Sequence, residues 1–214
     1  MGISMARLAA AAGLAMALGV GGADASTTFF SDLAGGSYNP TSSWYVAGST
    51  STVEFTPAMG FTSAFSGEVT QIDAALGAIL SSGTITVSLW TDSGSGLGTE
   101  LGHWIVSPYG ESGTSSTALV NIPVSGISLT AGAGYYLEAT ANGTRDQNDW
   151  NQNSAGAAGT VLDNGVVFQT GATLGAFDVL GVVPEPATWA LMLVGVGGLG
   201  ALLRRRARTS ASVS

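Results

Sequence analysis

Thr84-Ile85-Thr86-Val87-Ser88-Leu89 alternates polar and apolar positions without a break, so Ile85, Val87 and Leu89 share one face of an extended segment. That period of two belongs to a half-buried strand. Residues 135–140 repeat it, with Tyr135, Leu137 and Ala139 facing inward. The same reasoning predicts strands over residues 52–56, 69–80, 101–106, 118–124, 166–168 and 176–180. Turn signals separate them, as in Asp92-Ser93-Gly94-Ser95-Gly96 and Asp163-Asn164-Gly165. Residues 69–80 also fit a helical face through Ile72, Ala75, Leu76 and Ile79, and a strand interrupted at Gly77 is the preferred reading. Short strands with regular turns predict an all-β fold: a single antiparallel, jelly-roll-like β-sandwich over residues 26–182.

The two ends break this pattern. Residues 8–20 form an apolar run behind Arg7, and Ala23-Asp24-Ala25 supplies small residues at the −3 and −1 positions of a cleavage site. This is the layout of a secretory signal peptide over residues 1–25, leaving Ser26 as the mature N-terminus and implying export through the Sec translocon. At the other end, residues 187–203 are apolar and uncharged, about 26 Å long as a helix. That length sits at the short end for a bilayer core, with Trp189 near one boundary. Arg204, Arg205, Arg206 and Arg208 follow as a stop-transfer cluster that the positive-inside rule keeps cytoplasmic, together with residues 209–214. The predicted precursor spans the inner membrane once, N-out and C-in.

Charge separates along the same boundaries. All six basic residues are arginine, and residues 26–183 carry twelve acidic groups against Arg145 alone, a net −11 in a chain whose total is −8. A surface of that sign offers nothing to neutralise phosphates, so nucleic acid is excluded as a partner. It suits solubility in the cell envelope, and carboxylates also suit divalent cations. There is no cysteine, which removes thiol catalysis, zinc-thiolate sites and disulfides, so roughly 155 residues must stabilise themselves through one core.

Pro184-Glu185-Pro186, the apolar stretch and the arginine cluster together resemble the PEP-CTERM sorting signal of exopolysaccharide-producing Gram-negative bacteria. The resemblance implies recognition by exosortase, an integral-membrane enzyme acting near Pro-Glu-Pro. The alternative is a plain single-span anchor. Two prolines also keep the segment extended, the form that a protease cleft binds. A second resemblance runs through the middle of the chain. Residues 87–92 with 96–101, residues 127–132 with 135–137, and residues 149–156 are similar to the choice-of-anchor domains, R type, of exported bacterial proteins. That family implies surface display and no particular chemistry.

Candidate chemistry is sparse. His103 is the only histidine, beside Trp104 in an expected strand, where a structural or edge position competes with catalysis. No Gly-x-Ser-x-Gly elbow and no lysine occur, so a serine-hydrolase elbow, Schiff-base chemistry and a Walker loop are absent. Twelve carboxylates leave a glycosidase pair open without selecting one. The most distinctive polar run contains Asp146, Asn148, Asp149, Trp150, Asn151 and Asn153. Its oxygens suit calcium and Trp150 suits a sugar ring. The alternative is an Asx-rich loop capping its own backbone, with Trp150 tucked into the sandwich edge. No other cofactor is expected. The expected function is a non-enzymatic surface or matrix protein associated with exopolysaccharide. A glycan- or calcium-binding module and a secreted carbohydrate-active enzyme are the alternatives.

Overall fold

The computed structural model describes residues 26–184 apart from Ala34, Gly36 and residues 50–53, 80–82 and 108–117. The expected signal peptide with Ala23 and Ala25, the apolar stretch, and Glu185, Pro186, Arg204, Arg205, Arg206 and Arg208 therefore lie outside the described residues. Among those described, no helix is long and apolar enough to cross a membrane.

Twelve strands follow in chain order: β1 (Thr27–Ser31), β2 (Tyr38–Ala47), β3 (Pro57–Thr62), β4 (Gly67–Ala78), β5 (Ile85–Asp92), β6 (Leu97–Val106), β7 (Ala118–Leu129), β8 (Gly134–Ala141), β9 (Gln147–Asn153), β10 (Ala158–Asp163), β11 (Val166–Thr173) and β12 (Phe177–Val182). They form two antiparallel sheets, so the fold is all-β and sandwich-like, as the alternating patterns predict. One sheet has the order β11-β10-β3-β8-β5-β6. The other is organised on β4, with β7 along one edge and two strands in tandem along the opposite edge. There β12 pairs with residues 68–74 of β4 and β9 with residues 76–78. Beyond them β1 pairs with β12 and β2 with β9.

β4 resolves the ambiguity between strand and helix. Gly181 faces Val69 while its neighbour Leu180 faces Gln71, so Thr70 is an extra residue, a β-bulge. The bulge shifts the inward parity from Val69 to Ile72, Ala74 and Leu76, all fully buried. Ala75, which completes the helical pattern with Ile72 and Leu76, is buried on the opposite face against Leu33 and Ala176, so both faces of this stretch are apolar. The expected interruption at Gly77 does not occur, because Gly77 pairs with Asp149 inside the strand. The expected strand over residues 52–56 is also displaced: Phe55 makes only an isolated bridge to Ala47, and the strand starts at Pro57. A proline at the first position of a strand, or on the edge strands β2 (Pro40) and β7 (Pro123), removes no interior ladder bond.

The core lies between the sheets and turns on Phe177. Its ring stacks on Phe30 at 4.8 Å and meets Phe61 and Trp150 edge-on at 5.5 and 5.8 Å. Trp150 is fully buried, and its indole N–H donates to the Ala176 carbonyl at 3.0 Å. Gly175 passes so close that a Cβ there would stand 2.7 Å from the indole. Without disulfides, loss of this side chain leaves a cavity that nothing covalent offsets. Trp150→Ala is expected to lower unfolding free energy by about 3–5 kcal/mol, read as a reduced urea midpoint at unchanged slope.

Candidate functional site

The chain leaves the fold through β12, whose inward positions Phe177, Val179 and Gly181 alternate with half-exposed ones. β12 is paired on both sides, to β1 and to β4, up to Val182 opposite Glu68. Gly181 admits no side chain, because a Cβ would collide with the Glu68 carbonyl and the Phe29 ring. Val183 still packs against the core, and Pro184 is exposed. Proline disfavours helical backbone at the residue before it. Exposure is thus reached at Pro184, two residues beyond the strand.

The polar run at residues 146–153 is not a loop. Its residues from Gln147 to Asn153 form β9, an interior strand between β4 and β2. Trp150 shows no exposed face for a sugar to stack on, which corrects the ligand reading of that side chain. Asn148 is fully buried beside Val46 with neither amide atom bonded, a desolvated group costing about 1–3 kcal/mol. Asn153 does cap its own backbone: its Nδ2 donates to the Ala157 and Leu174 carbonyls at 2.8 and 2.9 Å, and its Oδ1 accepts from the Ala157 N–H at 2.9 Å. Asn151 is buried, and its carbonyl accepts from the Ala176 N–H at 2.7 Å. Asp146 accepts from the Gly143 N–H at 2.9 Å, and burial raises the carboxyl pKa of Asp149. Asp146 precedes β9, and the alternation of the strand puts Asn148 and Asp149 on opposite faces. Among the described residues no three His, Asp or Glu side chains are grouped to hold a metal ion. His103 lies on edge strand β6, with Nδ1 2.8 Å from the Glu100 carboxylate.

Two features were not visible in the sequence. The first is a cleft of about 470 Å³ where β10 and β3 part. Their pairing stops at Met59 opposite Val161, and the cleft opens beyond Gly60 and Gly159. Asp92, Tyr136, Thr62 and Thr160 supply its polar groups, with Phe30, Phe61 and Leu174 as apolar lining. Burial and then the Asp92 charge raise the Tyr136 pKa, so its hydroxyl stays protonated and able to donate at neutral pH. No local motif marks these residues, because the cleft depends on strands about a hundred positions apart.

The second is a pair of buried carboxyls without basic partners. Asp32 Oδ1 accepts from the Phe177 N–H at 2.7 Å, while its Oδ2 is buried with no partner, as is Asp178 Oδ1. Desolvation raises the Asp32 pKa to about 7, reinforced by the neighbouring Asp178 charge. On the other sheet, Glu138 is also raised by burial and accepts from the Trp90 indole N–H at 3.0 Å.

Against known proteins, residues 182–206 match the PEP-CTERM protein-sorting motif. The match begins at Val182, the last residue of β12, and supports a PEP-CTERM protein that is exported and sorted by exosortase. No curated protein matches the chain.

The carboxyl chemistry carries a signed prediction. A carboxyl whose folded pKa lies above its unfolded value binds more protons when folded, so stability falls as pH rises between the two values. For Asp32 that window runs from 3.8 to about 7. Urea midpoints are expected to fall across it, and Asp32→Asn, which keeps an acceptor for Phe177, is expected to flatten the profile.

Proposed function

We propose that this chain is an exported, non-enzymatic surface or matrix protein. In this reading the β-domain is delivered across the inner membrane, held there by its tail, released or transferred by exosortase, and kept in the exopolysaccharide layer. The observation that carries it is the sorting match starting on the final residue of a doubly paired strand. Val183 packs on the core behind a doubly paired strand and Pro184 is exposed, so in this reading the first residue offered to exosortase is Pro184. The acidic domain repels anionic lipid once freed, which favours release over re-association. A middle region similar to choice-of-anchor domains, whose shared property is display, would fit the same reading. Replacing Pro184-Glu185-Pro186 with alanines is expected to leave full-length precursor in the membrane fraction, read by intact mass and fractionation. Unaltered processing would refute exosortase sorting.

Glycan binding is a second reading, and the cleft favours it. Tyr136 as donor, Asp92 as acceptor and the threonine hydroxyls suit sugar hydroxyls, and Phe30 and Phe61 suit the apolar face of a ring. A glycan array probed with and without calcium is expected to show binding that Asp92→Asn removes. Binding that survives the change would exclude the cleft.

A further inference from the structure

The sorting reading leaves open which part of the domain meets the membrane before cleavage. From Val183, still packed on the core, four peptide steps lead to Ala187, where the apolar stretch begins, and they span at most about 14 Å. The tether is shorter than the domain is wide, so one end of the sandwich must stay close to the bilayer.

The pairing pattern identifies that end. Val182 lies opposite Glu68 and Gly181 opposite Thr27, so the exit, the start of β4 and the start of β1 lie together. The tip beyond them is the β3–β4 loop, laced to the β7–β8 turn. Ser63 N–H donates to the Ala133 carbonyl at 3.1 Å, Gly132 N–H to the Ser63 carbonyl at 2.8 Å, and Ala131 N–H to Ser66 Oγ at 2.9 Å. Ala64 N–H also donates to the Phe29 carbonyl at 2.8 Å, which ties the tip to β1. On this braced tip Phe65 is 45% exposed. Residues 62–67 and 129–134 contain no charged side chain, in a domain of net −11. Two acids flank it: Glu68 is engaged with the Gly126 N–H at 3.0 Å, and the Asp92 carboxylate, which lies beside Gly134, accepts from the Gly94 N–H at 2.7 Å.

We infer that this uncharged tip is a lipid-facing surface, with Phe65 entering the interfacial zone of the bilayer while the tail is still attached. The inference rests on the membrane insertion of the tail proposed above. An exposed aromatic on an uncharged surface is favourable at the headgroup boundary, whereas an acidic face would be repelled by anionic lipid. The tether holds the tip at high effective concentration against the membrane, so a contact too weak to bind on its own suffices. After cleavage that advantage disappears and the domain departs.

The absence of cysteine makes the test direct. Single-cysteine variants Ala64→Cys, Val166→Cys and Leu191→Cys of the full chain, each labelled with a fluorophore, are reconstituted in phosphatidylethanolamine–phosphatidylglycerol vesicles carrying headgroup or acyl-chain nitroxides. Val166, on the edge strand β11, is 70% exposed and lies outside the tip. The expected result is acyl-chain quenching at 191, headgroup quenching at 64 and none at 166. Adding Phe65→Ser to the 64-labelled chain is expected to reduce its quenching. Quenching at 191 with none at 64, or with equal signals at 64 and 166, overturns the tip contact while leaving tail insertion intact. Loss of quenching at 191 overturns tail insertion, and the tip contact with it.

Discussion

β4 carries two partners in tandem along one edge, and the rest of the fold is arranged around that joint. β12 occupies its first half and β9 its last residues, so the chain must cross from the β11 sheet and enter between them. The crossing is Leu174-Gly175-Ala176, pinned by hydrogen bonds from Ala75 N–H to the Ala176 carbonyl at 3.0 Å and from Ala176 N–H to the Asn151 carbonyl at 2.7 Å. Gly175 can lie against the Trp150 indole because it has no side chain. The same contact sets Trp150 against the Phe177 ring on which the aromatic core converges.

The same joint links the core to export. β12 is an interior strand, held by two ladders, and the sorting segment follows it directly. Tension on the tail is therefore borne by paired backbone instead of a frayed terminus. A weakly attached last strand would let more chain be drawn out of the fold, whereas β12 is held by ladders on both edges.

Charge shapes both stability and exit. With Arg145 as the single arginine or lysine between Ser26 and Val183, buried carboxyls have almost no salt-bridge partner to choose. Asp32, Glu138, Asp149 and Asp178 respond alike, each with a raised pKa whose largest cause is desolvation. Backbone amides and an indole N–H replace the missing cations. The result is a domain that is stabilised by protonation of its buried acids and carries its remaining negative charge outward.

Alternation in residues 84–89 and 135–140 was sufficient for the β class, because one face of each strand must be apolar to meet the core. The order of Pro-Glu-Pro, apolar stretch and arginines was sufficient for the sorting motif, because that signal is read linearly by another protein. Where the local pattern misled, a non-local partner decided. Packing of Ala75 against Leu33 and Ala176, on the face opposite the main core, gave β4 a false helical period, and pairing with β2 and β4 turned a polar run that looked like a ligand loop into an interior strand with Trp150 at its centre. The cleft at Asp92 and Tyr136, the orphaned oxygens of Asp32 and Asp178, and the placing of Phe65 beside the exit have no linear signature. Each exists only because strands far apart in the chain are brought to one place, and a sequence records residue types and spacing but not which distant backbone will supply a hydrogen bond or withhold it.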